Sequence, residues 1–225
     1  MRPYTLLLAA IVLGGATPYP AMAPIDRYRM ANRSDEISLA RSAAPPSVSA
    51  NAEVFVLGRR GYDVAARGSN GFACLVERSW AAGFDDPQFW NPSIRGPICF
   101  NPAAVRTELP QVLTRTQWVL AGIDKNALMA RTRAAFARHA FLQPAPDAMS
   151  FMLSKRGYLG DAAKGPWLPH LMLFVPSAQA AAWGADLKGS PVFGSAGDDT
   201  LGSTILMIPV RRWSDGTPAV PRSAH

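Results

Sequence analysis

The sequence is short of the residues that mark well-known chemistries. It holds two cysteines, Cys74 and Cys99, and three histidines, His139, His170 and His225, scattered over 225 residues. That spacing matches no metal-ligand set, so no metal and no cofactor are expected. There is no Gly-x-Ser-x-Gly elbow; Gly194-Ser195-Ala196-Gly197 has the wrong spacing. No Gly-x-Gly run opens a helix, which removes the phosphate cradles of nucleotide-binding folds. Acidic residues are the minority, 16 Asp and Glu against 23 Lys and Arg, for a formal net charge of +7. A basic exported protein favours anionic partners such as lipid head groups. Here the basic residues form no run, so the charges read as a solvated surface and no nucleic acid partner is expected.

Long apolar runs are also missing, except at the start. Met1-Arg2 is followed by Leu6-Leu7-Leu8-Ala9-Ala10-Ile11-Val12-Leu13 and then by Ala21-Met22-Ala23. A positive start, a short apolar core and an A-x-A site spell a secretory signal peptide over residues 1–23, cut after Ala23. The apolar core is far below the roughly 20 residues of a membrane-spanning helix. No lipobox cysteine follows it. Removal leaves 202 residues (225 − 23) and a charge of +6, because Arg2 departs. That length suits one domain with a sizeable core. The expected location is the periplasm or the extracellular medium, with no later transmembrane segment.

In an oxidising compartment, two cysteines in one domain usually pair. A Cys74–Cys99 disulfide would close a loop of 24 residues (99 − 74 − 1). Chain entropy puts its contribution at roughly 3–4 kcal/mol.

Along the chain, residues 24–52 form an N-terminal segment with one short helix at Ser34–Arg41, capped by Ser34 or Asp35 and ended by Pro45-Pro46. The globular domain spans residues 53–213. Val54–Leu57, Tyr62–Ala65 and Phe72–Glu77 are extended, glycine-containing turns separate them, and a β-meander follows. Within "GSNGFACLVER", Asn70-Gly71 is the strongest short-range hairpin signal, since both residues accept positive φ cheaply. A ligand-binding role for this loop needs Ser69 or Asn70 to point into a cleft.

Residues 79–100 carry Trp80, Phe84, Phe89 and Trp90 and are broken by Pro87, Pro92 and Pro97. They read as an irregular loop tied at its base by the disulfide. Such long loops are functional sites in many domains, or lids packed over a sheet. Asn101-Pro102 starts a helix that should stop near Pro110. Val112, Leu113, Thr116, Val119 and Leu120 keep helical spacing, and Asp124 caps a further helix to about His139. Met149–Leu153, His170–Val175 and Ser203–Val210 are apolar on both faces, as in central strands covered on both sides. A polar tail over residues 214–225 is expected to be loosely held.

Candidate chemistry is sparse. His170 opens a strand, and Asp161 lies upstream. Together they would serve as general base and orienting acid, with Ser150 or Ser154 as nucleophile. The structural alternative is a buried strand histidine. Glu77, Asp85 and Asp86 near the aromatic loop supply the carboxylates that a glycosidase needs.

The stretches "EISLARSAAP", "VLGRRGYDVAARGSNGFACLVERSW", "FWNPSIRGPICFNP", "MLSKRGYLGD" and "PHLMLFVP" together resemble a family of exported bacterial proteins with no known activity. The resemblance covers most of residues 35–216. It implies no activity, cofactor or catalytic residue.

These observations predict one α+β domain: an antiparallel sheet of about five or six strands with helices mainly on one face. The leading functional reading is an exported envelope protein that binds a ligand or protein partner without turnover. Its site would be Trp80, Phe84, Phe89 and Trp90, bordered by Ser69, Asn70 and His170. The alternative is an exported hydrolase using His170 and Asp161.

Overall fold

A computed structural model describes residues 19–158, 168–195 and 203–219. The fold is α+β, built on one eight-stranded sheet that is antiparallel at every pairing but one. Its strands are β1 (Glu53–Leu57), β2 (Tyr62–Ala66), β3 (Ala73–Glu77), β4 (Gly96–Phe100), β5 (Met149–Met152), β6 (His170–Pro176), β7 (Phe193–Ser195) and β8 (Ser203–Pro209). Their spatial order is β2-β1-β3-β4-β5-β6-β8-β7.

The expected meander does not form. β2 pairs with β1 at the sheet edge, while β3 lies on the other side of β1 and runs parallel to it. Residues 67–72 therefore cross the start of β1 instead of turning a hairpin. Gly68 makes the crossing possible: a Cβ there would sit 2.1 Å from the Glu53 nitrogen. Ser69 N–H donates to the Asn51 carbonyl at 2.9 Å, and Phe72 N–H donates to Asn70 Oδ1 at 3.1 Å. Asn70 Nδ2 donates to the Val48 carbonyl at 2.7 Å. Asn70-Gly71 is a turn, with Gly71 at φ +77°, but it serves a crossover. The hairpin signal is local, and it carries no information about which strand the chain pairs with next.

β4 was hidden in the sequence by Pro97. The Cys74–Cys99 pair has a Cα separation of 4.0 Å, as at a non-hydrogen-bonded position of an antiparallel ladder. Pro97, opposite Val76 and two residues from Cys99, occupies the same kind of position. Its missing N–H faces β5, which pairs with β4 only at Cys99 and Phe100. The proline thus costs the sheet no bond.

Helix α1 (Arg33–Arg41) is capped by Asn32, whose Oδ1 accepts from Ser34 N–H at 2.9 Å. The cap lies two or three residues before the expected one. Pro45-Pro46 ends that segment and also opens a one-turn helix, α2 (Pro46–Ser49). Asn101 caps α3 (Pro102–Thr107) through Ala104 N–H at 2.9 Å. The chain then breaks at Glu108, so Pro110 sits in the first turn of α4 (Leu109–Leu120) and does not stop a helix. Asp124 caps α5 (Lys125–Ala137), and His139 follows it in the left-handed region at φ 58°.

Alternation along the strands divides the core. Phe55, Leu75, Ile98, Phe100, Met152, Met172 and Phe174 face α3 and α4. Val54, Cys74, Val76 and Cys99 face α1, with Leu39, Ala40 and Ala43. α3, α4 and α5 lie on one side, so most of the helix covers one face, as expected. β6 departs from the expected double coverage: His170, Met172 and Phe174 are buried, whereas Leu171 and Leu173 are half-buried. The N-terminal segment is not separate from the domain, because Tyr28, Glu36 and Leu39 are all buried in it. The tail is pinned at least to Ala219, which bonds back to Arg211 at 2.8 Å, while Lys155 meets Asp215 at 2.7 Å. Among the described residues no helix is long and apolar enough to cross a membrane.

The Cys74–Cys99 disulfide is present and joins β3 to β4 beneath α1. It closes the excursion of residues 78–95 at its base. Replacing both cysteines by alanine should lower the unfolding free energy by about 3 kcal/mol. Urea unfolding of the variant beside the wild type, without reductant, reads this directly.

Candidate functional site

A cavity of about 690 Å³ lies between the sheet and α4. Its floor is apolar: Ile98 and Phe100 of β4, Met152 of β5, Met172 and Phe174 of β6, Ile205 and Met207 of β8. Register explains why these side chains meet. Met152 is opposite His170, Met172 opposite Met207, and Phe174 opposite Ile205, so all project from one face. Two further lining residues, Leu168 and Phe193, are exposed.

The opposite wall is polar. Glu108, Gln111, Val112 and Arg115 recur at spacings of three and four, which places them on one helical face toward the cavity. The loop after β3 adds Arg78, Ser79, Phe84 and Asp86, and β3 itself ends in Glu77. Arg115 is held over the Phe84 ring, 4.8 Å from its centroid, and donates to the Trp80 carbonyl at 2.9 Å. Burial raises the Glu77 carboxyl to about 7, against the lowering field of Arg115. Burial likewise raises Glu108 to about 7, against hydrogen bonds from Thr107 and Gln111. Gln111 Nε2 reaches Glu108 Oε2 at 3.2 Å. Among the described residues, Glu108 Oε1 and the Ser79 hydroxyl are buried without a hydrogen-bond partner.

The expected site residues divide. Phe84 lines the cavity, as does His170. Trp80, Phe89 and Trp90 do not; together with Phe84 they pack with Tyr28, Leu57, Val119 and Leu128 in a third buried cluster. Trp80 Nε1 donates to Thr116 Oγ1 at 2.9 Å, and Phe89 meets Trp90 edge-on at 4.7 Å. The loop is therefore a packed lid carrying one aromatic side chain to the cavity. Ser69 and Asn70 lie at the β2–β3 crossover and do not line it.

His170 is buried, and its Nδ1 stands 2.8 Å from the Leu168 carbonyl. That contact requires a proton on Nδ1, which leaves Nε2 as the acceptor in the neutral ring. Burial lowers the ring's affinity for a second proton, against the raising effect of that bond. Asp161 lies outside the described residues. Ser154 Oγ is 2.6 Å from Ser42 Oγ at the end of α1, and Ser150 does not line the cavity. Of the carboxylates beside the aromatic loop, Glu77 and Asp86 line the cavity and Asp85 does not.

Glu108 and Arg115 were not legible as site residues. In the sequence they are ordinary charged positions of a helix beside a proline. The usable signal was their seven-residue separation, which puts both on one face. No group of His, Cys, Asp and Glu among the described residues has metal-binding geometry. Comparison of the chain with protein-family models, with curated proteins and with solved structures finds no match.

Proposed function

We propose that the chain is an exported envelope protein, working in the periplasm or outside the cell, that binds an apolar small molecule without turnover. The observation that carries this reading is the cavity floored by Met152, Met172, Phe174, Ile98 and Ile205. Ligand sites are concave, predominantly apolar and about 300–1,000 Å³ in volume, with a few placed polar groups. The cavity fits each of these terms. The export signal, the disulfide and the family resemblance support the location. Of the hydrolase reading's described residues, His170 lines the cavity and neither candidate serine does.

Titration with the neutral dye N-phenyl-1-naphthylamine tests the reading. Its fluorescence should rise and saturate on mixing with the protein. Met172→Trp, which fills the floor, should weaken the dye by about tenfold. Absence of any saturable signal in the wild type rejects the binding reading.

A further inference from the structure

We infer that the ligand taken by this cavity is an amphiphilic organic cation, an apolar body with an ammonium head, and that Glu108 receives the head. The inference rests on the binding reading above and assigns its chemical class. Its first support is the charge of the wall. Among the described residues, the lining carries three carboxylates, Glu77, Asp86 and Glu108, and two guanidinium groups, Arg78 and Arg115. Arg78 is spent elsewhere: it pairs with Glu36, which does not line the cavity, at 2.8 Å. Arg115, over Phe84 and bonded to the Trp80 carbonyl, keeps its charge and balances Glu77. Among the described residues, His170 is the remaining titratable group on the lining, and burial favours its neutral form. With Arg78 matched by Glu36 and Arg115 by Glu77, Asp86 and Glu108 are the surplus charges on the described lining, in a chain with seven surplus positive ones.

The second support is an orphan acceptor. Glu108 is 7 % exposed, its Oε2 accepts from Gln111, and its Oε1 has no hydrogen-bond partner among the described residues. Buried polar atoms are almost always paired, and an unpaired carboxylate oxygen is among the costliest. Oε1 is closed to solvent in the empty protein, and once the carboxylate turns toward the cavity an ammonium donor would satisfy it with a charge-assisted hydrogen bond. The Ser79 hydroxyl, 2 % exposed residue-wide and also unpartnered, offers a second acceptor on the same lining. The apolar floor would take the ligand's hydrocarbon body. Protons compete for the same oxygen, since Glu108 titrates at about 7. Affinity for a cation therefore rises with pH through that value.

Displacement of N-phenyl-1-naphthylamine by decylamine, decanol and decanoate separates the two levels of the argument. At about pH 8 the amine and Glu108 are both charged, and decylamine should displace the dye at about tenfold lower concentration than decanol. Decanoate should be the weakest. At about pH 5.5 the preference for the amine should shrink to about twofold, as Glu108 protonates. Glu108→Gln should abolish the preference at pH 8 and leave decanol unchanged. Glu77→Gln should reduce it less than threefold, because Arg115 already balances Glu77 (about threefold being a weak, screened charge term). Equal displacement by decanol and decylamine, or a preference that survives Glu108→Gln, overturns the cation assignment and leaves apolar binding standing. Failure of all three, with no dye bound, overturns both.

Discussion

Glu36→Ala lowers the unfolding free energy by about 3–5 kcal/mol, measured as a shift of the urea midpoint at constant slope. The reason is Arg78. Its side chain is 0 % exposed and that of Glu36 is 3 % exposed, with Nη2 and Oε1 2.8 Å apart. Arg78 Nε donates to the Tyr28 carbonyl at 2.7 Å, and Nη1 donates to the Val76 carbonyl. Glu36 Oε1 also accepts from Leu57 N–H at 3.0 Å. Tyr28 in turn donates its hydroxyl to the Trp90 carbonyl at 2.8 Å. One guanidinium thus ties the N-terminal segment, α1, β3 and the aromatic lid together. Removing the carboxylate leaves a buried cation with neutral acceptors only. The double variant Glu36→Ala/Arg78→Met removes both charges and should recover at least half of the loss, because the desolvation penalty disappears with the ions. A loss below about 1 kcal/mol for Glu36→Ala would mean that water reaches Arg78, and that the network is peripheral.

This network also marks the boundary of what the sequence could disclose. The apolar strands, the helix caps at Asn101 and Asp124 and the disulfide follow from local chemistry and from counting. They are set by neighbours within a few residues or by the one available partner cysteine. Glu36 and Arg78 are 42 residues apart, and neither position differs in type from a solvated surface residue. Nor does alternation in β3 mark which side α1 will cover. The same limit hid the cavity. Its floor draws on four strands that become neighbours only through the order β4-β5-β6-β8. Its polar wall depends on the break at Glu108 that lets α4 start afresh. The aromatic residues were conspicuous in the sequence, yet all four pack in one buried cluster and Phe84 alone of them also lines the cavity. The ordinary charged residues of α4 instead carry the polar chemistry. The parallel β1–β3 pairing was invisible for a further reason: the turn that precedes it looks the same whether it closes a hairpin or a crossover.

Stability should fall by about 4 kcal/mol between pH 5 and pH 8, and the two cavity carboxyls account for it. Glu77 and Glu108 each move from an ordinary 4.5 to about 7 in the folded protein. In the unfolded chain both are ionised above about 5. The folded state therefore holds protons that the unfolded state has released, and stability declines as pH rises from about 4.5 to about 7. Above about 7 the folded state ionises too, and the decline stops. Each shift corresponds to about 3 kcal/mol in a dry interior and about 2 kcal/mol once water in the cavity is allowed for. His170 acts in the opposite sense: burial favours its neutral form, so it withdraws stability only as pH falls below about 6.5. It therefore lowers the acid end of this range, offsetting part of the fall below about 6.5 and none of it above. Urea unfolding across this range provides the measurement. Glu77→Gln and Glu108→Gln should each flatten the curve by about half and each exceed the wild type in stability at about pH 8. A flat wild-type curve would mean that both carboxyls are hydrated in the folded state. The same linkage bears on binding. At about pH 8 the folded protein keeps an ionised Glu108 in an apolar site at a cost in stability, and a bound ammonium head offsets that cost. Decylamine should therefore raise the unfolding midpoint more at about pH 8 than at about pH 5.5, and should do so less in Glu108→Gln. A protein that is least stable when empty and alkaline, and is restored by a cationic amphiphile, takes from its ligand the partner that Glu108 lacks among the described residues.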